Sequence, residues 1–271
     1  MYENYVKWLR KYGSSEGTVE VYERNVRLAM EHKGGPLGRI LDRTLAPKTR
    51  RAVMAAMRSW ARYSEDEGLL KELRQVKLPP NVRKNPKLPM TAREYSAFVK
   101  ALDRSGESAV LKAVLGIIAT RGFRVGGVLR LTREEAAQGL RRGILPSDTS
   151  GKYRPEASIA PFKKHLQALL EYRTWTSVED LVSPSADPDR RRKSATIAVE
   201  RAMRRVAVEA GLDPEEMYPH RLRRTVAVMF LQKANNDLPK LCAFMGWRDL
   251  STAMQYVDYA KLEDIEAIWS G

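Results

Sequence analysis

Residues 219–256 read PHRLRRTVAVMFLQKANNDLPKLCAFMGWRDLSTAMQY. Three short helices fit this stretch: Thr225 to Lys233, Asp237 to Met245, and Asp249 to Tyr256, broken at Asn235-Asn236 and at Gly246, residue types that tolerate the backbone turn ending a helix. Upstream, Ser194 to Ala210 is amphipathic, with Val199, Met203, Val206 and Ala210 on one face at three- and four-residue spacing. Leu111, Val114, Leu115 and Ile118 mark a buried helix, and Thr91 followed by Glu94 is a capping-box signature that opens this part of the chain. Only Leu140 to Ala160 reads as strands and turns. The expected fold is therefore mainly α with a small β-sheet. Most of the ten methionines fall at inward positions and are read as core filling.

Toward the N-terminus, Thr18 is suited to cap a helix carrying Val19, Tyr22, Val26 and Ala29 on one face. Another helix begins after Pro47, with Val53, Met57, Trp60 and Ala61 inward and Arg51, Arg58 and Arg62 on a different face. With a helix at Tyr2 to Lys11 and a last turn near Leu69 to Val76, residues 1–77 read as a small helical module with a basic exposed face. Pro79, Pro80, Pro86 and Pro89 then alternate with Lys77, Arg83, Lys84 and Lys87. Proline density of that kind cannot continue a helix, so residues 78–88 read as an extended basic linker. The second domain spans 89–271.

The 271 residues carry 48 Lys and Arg against 33 Asp and Glu, a net charge of +15, which points to a polyanionic partner. A membrane protein would need an apolar run of about 18 residues or more. The most apolar stretch, Ala109 to Ala119, is too short and contains Lys112. The opening MYENYVKWLRKYG lacks the apolar centre of a signal peptide, so a cytoplasmic location is expected. The single Cys242 reads as a buried thiol, and three widely spread His give no zinc spacing. Ser150-Gly151-Lys152 lacks the upstream glycine of a nucleotide-cradling loop. The DRRRK run, Asp189 to Lys193, reads as a solvated loop or a backbone contact to nucleic acid, and Arg204, Arg205, Arg221 and Arg224 extend the positive surface.

Three segments carry a specific resemblance. TRGFRVGGVLRL, residues 120–131, resembles the T-G-x-R-x-x-E-L-x-x-L segment of tyrosine recombinases, placing its arginine at Arg124. PHRLRRT, residues 219–225, resembles H-x-L-R-[HR]-T and supplies His220 and Arg223. LCAFMGWRDLSTAMQY, residues 241–256, resembles L-x-x-x-L-G-[HW]-x-x-x-x-T-x-x-x-Y and supplies Trp247 and Tyr256. The N-terminal module is similar in architecture to the helical core-binding domain of phage integrases and Xer-type recombinases, so the resemblance covers nearly the whole chain; archaeal integrases share it.

The resemblance implies a helical core-binding domain followed by a tyrosine-recombinase catalytic domain. It also implies cleavage and rejoining of double-stranded DNA through a 3′-phosphotyrosine on Tyr256, without metal, nucleotide or other cofactor. Self-assembly into a tetramer on two DNA sites follows, as does association with the nucleoid if the host is prokaryotic. The chemistry suits the residue types. Two guanidinium forks, Arg124 and Arg223, match the charge that grows on a phosphoryl group under attack. A phenol with an ordinary pKa near 10 attacks poorly unaided, and His220 is the candidate assistant. Trp247 has an indole N–H for a phosphate oxygen. The family's lysine lies in a turn between strands, and Lys152 is the match, whereas Lys163 and Lys164 stand beside a helix start. Tyr259 is a rival nucleophile in the wrong register with Gly246-Trp247. Where the family has a glutamate three residues after its first arginine, this chain has Gly127. That departure keeps open a non-catalytic DNA-binding protein of the same fold, and a type IB topoisomerase-like enzyme is the other alternative.

Overall fold

The computed structural model describes residues 2–14, 16–79, 88–146, 156–247, 249–257 and 259. It divides the chain into two compact units, Met1–Pro86 and Lys87–Gly271. Among the described residues the structure is mainly helical, with one two-stranded sheet. Among the described residues no helix is long and apolar enough to cross a membrane. Residues 80–87, which hold most of the expected linker, lie outside the described residues.

The first unit contains α1 (Tyr2–Lys11), α2 (Glu16–Met30), α3 (Gly35–Leu41), α4 (Pro47–Tyr63) and α5 (Glu67–Gln75). Thr18, expected to cap α2, lies inside the helix, which starts two residues earlier at Glu16. Helix α3 carries no legible stripe; it is entered through a left-handed Gly35 with Pro36 near its start. A ring cluster sits in its largely aliphatic core: Tyr5 is edge-on to Trp60 at 5.1 Å, and Tyr63 lies 5.3 Å from Tyr5 and 5.8 Å from Trp8. The basic face of α4 is partly spent inside the unit. Arg51 donates to the Pro79 carbonyl, and Arg58 Nη2 donates to Leu73 O at 3.2 Å. Both arginines are half-buried, whereas Arg62 is exposed.

The second unit opens with α6 (Ala92–Arg104), whose capping box between Thr91 and Glu94 is formed as the sequence suggests. Next come α7 (Ala109–Arg121), α8 (Val125–Arg130) and α9 (Arg133–Arg142), then β1 (Ile144–Pro146) and β2 (Glu156–Ser158), paired antiparallel with Leu145 opposite Ala157. After a 3₁₀ turn follow α10 (Lys163–Leu170), α11 (Val178–Val182), α12 (Pro188–Glu209), α13 (Pro219–Lys233), α14 (Leu238–Met245) and α15 (Leu250–Met254). Helix α7 is apolar around nearly its whole circumference and runs through the middle of the core, touching α6, α8, α10, α12 and α13. Its Gly116 admits His165 from α10 so closely that a Cβ there would stand 2.2 Å from the ring.

The charge run at 189–193 is helical, not a loop. Asp187 accepts from the backbone of Asp189 and Arg190, and Pro188 occupies the first turn, so α12 starts six residues before the amphipathic stripe becomes visible. Arg191 is tied to Asp180 at 2.5 Å. Arg205 is held by Glu107 through two hydrogen bonds of 2.6 and 2.9 Å.

Candidate active site

Glycine ends two of the helices that build the site. Gly122 closes α7 in the left-handed region at φ 67°, where a side chain would be strained and would also press on Met245 and Val226 at 3.2–3.4 Å. The chain then turns so that Arg124 takes the N-cap position of α8. Gly246 closes α14 in the same way at φ 68°, releasing Trp247. Helix α13 begins with Pro219 at its first position, which sets His220 in the first turn and Arg223 one turn on. Asp249 caps α15, accepting from Ser251 N at 2.9 Å, and Tyr256 follows the end of that helix with its N–H on Ala253 O.

Arg124, His220 and Arg223 line one pocket of about 260 Å³, together with Val125, Gly126, Gly127, Arg130 and Pro219. Arg223 is 4% exposed, and its guanidinium donates to Gly122 O and, at 3.3 Å, to Met245 O. It is thereby aimed by the ends of two helices, α7 and α14. Tyr256 is not in the pocket lining; it stacks on Trp247 with ring centroids 4.9 Å apart and planes at 26°. The Arg223 guanidinium carbon lies 5.7 Å from the Trp247 ring centre, which links the stack to the pocket. Arg224 faces the rival Tyr259 at 5.8 Å. Trp247, Tyr256 and Tyr259 all belong to a satellite core built from α13, α14 and α15.

Burial raises the Tyr256 phenol above its usual 10, and Arg223, Arg224 and Arg124 act against that rise. His220 is lowered from 6.5, first by partial desolvation and then by Arg223, Arg124 and Arg224. At neutral pH the pair is therefore a phenol and a neutral imidazole able to accept a proton. Cys242 is a buried thiol, as expected, and desolvation raises it. Among the described residues no cluster of His, Cys, Asp or Glu could hold a metal ion.

Lys152 lies outside the described residues. Arg221, read as surface charge, is 7% exposed. It pairs with Glu94 and Glu216 at 3.5 Å each and donates to Leu88 O at 3.2 Å, fastening the start of the second unit to α13. Two arginines escaped the sequence reading. Arg121, 4% exposed, lays its guanidinium 3.9 Å from the Phe244 ring centre, and Phe244 stacks in turn on Phe230 at 4.0 Å. Burial and then Arg223 lower Arg121 to about 10, leaving it charged at neutral pH. Arg130 lines the pocket itself; its spacing of three and four residues from Gly127 and Gly126 was the signal that places them on one helix face.

The chain belongs to the phage integrase family, whose model matches residues 89–263. It is similar to the tyrosine recombinase XerC of Methylobacterium sp. (strain 4-46), with 28% identity over 281 aligned positions covering 92% of this chain and 85% of the relative. It is also similar to the XerC of Erythrobacter litoralis (strain HTCC2594), with 26% identity over 226 positions, 80% of this chain and 71% of the relative. Among solved structures, the Tn1549 transposon integrase in complex with transposon right end DNA has the same fold, with a TM-score of 0.65, 13% identity, and coverage of 97% of either chain.

Proposed function

We propose that this protein is a site-specific DNA recombinase that cleaves and rejoins strands through a 3′-phosphotyrosine formed on Tyr256. The observation that carries the reading is the convergence of Arg124, Arg223 and His220 on one pocket, with the Trp247–Tyr256 stack beside Arg223. Membership of the phage integrase family supports it, as do the relatives named as recombinases.

In this reading the two guanidinium groups hold the non-bridging oxygens of a DNA phosphate and take up the charge that grows there during attack. The Tyr256 Oη attacks phosphorus and the bond to the 5′ oxygen breaks, so the phosphate passes to tyrosine and the strand is left with a 5′ hydroxyl. Neutral His220 assists removal of the phenolic proton, and Lys152 returns a proton to the departing 5′ oxygen. Trp247 donates its indole N–H to a phosphate oxygen. Rejoining reverses the step, and the phosphotyrosine conserves the energy of the broken bond. Exchange between two duplexes uses several such sites, which a tetramer on two DNA sites would supply. The helical first unit is the core-binding domain, residues 78–88 are the linker, and the protein works on DNA in the cytoplasm, at the nucleoid of a prokaryotic host.

The test is covalent capture from a randomised duplex library bearing nicks, without divalent metal, followed by denaturing electrophoresis. Wild type is expected to yield protein–DNA adducts and Tyr256→Phe none, with DNA binding retained. DNA binding without any adduct across the library would overturn the enzymatic reading in favour of a non-catalytic DNA-binding protein. Relaxation of supercoils with no sequence preference among captured sites would instead favour a topoisomerase.

A further inference from the structure

The chemistry above leaves one guanidinium in the pocket without a role. Arg130 ends α8 and lines the pocket with Arg124, His220 and Arg223. Gly126 and Gly127 stand four and three residues before it, on the same helix face. Neither carries a side chain that could screen it, and its Nη1 lies 3.3 Å from where a Cβ on Gly126 would stand. The guanidinium is thus folded back along the helix toward the pocket. A carboxylate at position 127 would sit at pairing distance from it along the helix, but glycine occupies that position. Among the described residues Arg130 makes no side-chain hydrogen bond or ion pair. Like charges gathered around one pocket repel one another and call for an anion with several acceptor oxygens.

We propose that Arg130 is a third guanidinium on the phosphate that Tyr256 attacks, sharing its non-bridging oxygens with Arg124 and Arg223. The inference rests on the phosphotyrosine reading. Arg130 is exposed, so its long side chain adjusts to the DNA instead of being fixed in advance, as the buried Arg223 is. Its contribution to rate is accordingly smaller than that of Arg223.

The test uses the duplex recovered by covalent capture, made with the reacting phosphate either normal or replaced by an uncharged methylphosphonate. Adduct formation is followed in single turnover at saturating protein for wild type, Arg130→Ala and Arg130→Lys, with thermal melting to confirm that the exposed substitutions leave folding unchanged. Removing one donor from a developing oxyanion costs up to 10²–10³ in rate at buried sites, so roughly tenfold is expected for Arg130→Ala on normal DNA. Arg130→Lys should recover part of this loss. On the methylphosphonate the Arg130→Ala effect should shrink toward none, because the charge it answers is gone. A wild-type rate for Arg130→Ala at saturation, with only a salt slope reduced by about 0.9, would make Arg130 a contact to another phosphate and overturn the proposal. Equal slowing on both substrates would also overturn it, reducing Arg130 to a support of α8. Wild type run in parallel separates the failures: if it forms adduct, only the Arg130 assignment is at stake, and if it forms none, the parent reading falls and this one with it.

Discussion

The two units bury different things. The core of the first mixes aliphatic side chains with rings, the buried Tyr5 and Trp60 flanked by the partly buried Tyr2, Trp8 and Tyr63, and Asn25 is the one polar residue buried there among those described. The second unit buries Arg121, Arg221 and Arg223 beside an aliphatic core. Removing a charge from water is costly unless it is paired and hydrogen-bonded. Each buried arginine meets that cost differently: Arg221 with two carboxylates, Arg223 with two helix-end carbonyls, Arg121 with an aromatic face. Arg221 is neutralised and is structural. Arg223 is oriented by the carbonyls of Gly122 and Met245 while lining the pocket with Arg124 and His220. The lesson is that burial alone does not tell these arginines apart; their partners and their place at the pocket do.

The contrast can be broken by substitution. Trp60→Ala removes the centre of the aromatic cluster and should lower the unfolding free energy by about 3–5 kcal/mol in denaturant titrations. Arg223→Lys should do the reverse, leaving the fold standing but cutting adduct formation by about 10² at saturating DNA, since lysine cannot reproduce the fork. An unchanged rate would erase the distinction between the units. Glycine sharpens it further. Gly116→Ala would drive a methyl into His165 and should cost about 1–3 kcal/mol by overpacking, although alanine is normally the better helix former. If thermal melting showed a gain instead, α7 and α10 would be less closely packed than described.

The smallest expected effect concerns pH. Burial, followed by repulsion from Lys164, lowers His165 to about 4 against an ordinary 6.5, with Asp103 opposing. The unfolded chain therefore binds the proton more readily between those values. The stabilisation is complete above about 6.5 and is lost as pH falls toward 4, amounting to about 1 kcal/mol once the ring's partial exposure is discounted. Urea titrations across that range should show the decline, and His165→Gln should flatten it. A decline of equal size in the variant would assign it to other groups.

Much of this architecture was legible in the chain itself. The capping box at Thr91 and Glu94, the stripe of α12 and the breaks at Asn235-Asn236 and Gly246 are local signals, and the structure follows them. Helices α3 and α8 were not visible because they are short and glycine-rich, and tertiary packing rather than propensity holds them. The motif spacing picked out Arg124, His220, Arg223, Trp247 and Tyr256, and the described geometry groups them around one pocket and one ring stack. It assigned Arg223 to the site but left Arg221, two positions earlier on the same helix, as surface charge, because the Glu94 carboxylate and Leu88 carbonyl that bury it are remote in sequence. Arg121 was hidden for the same reason.

Under the proposed chemistry, the bonds from Arg223 to Gly122 and Met245 would also make reactivity conditional on assembly. Its aim needs the end of α7 and the end of α14 in place together, and the segment that follows α14 carries the Trp247–Tyr256 stack. If α14 comes loose, the guanidinium loses one of its anchors at the moment the phenol loses its seat. Under the proposed chemistry a partly unfolded chain would thus be a safe one: the same interlock that completes the fold would arm the nucleophile, and a damaged copy would be disarmed before it could nick DNA.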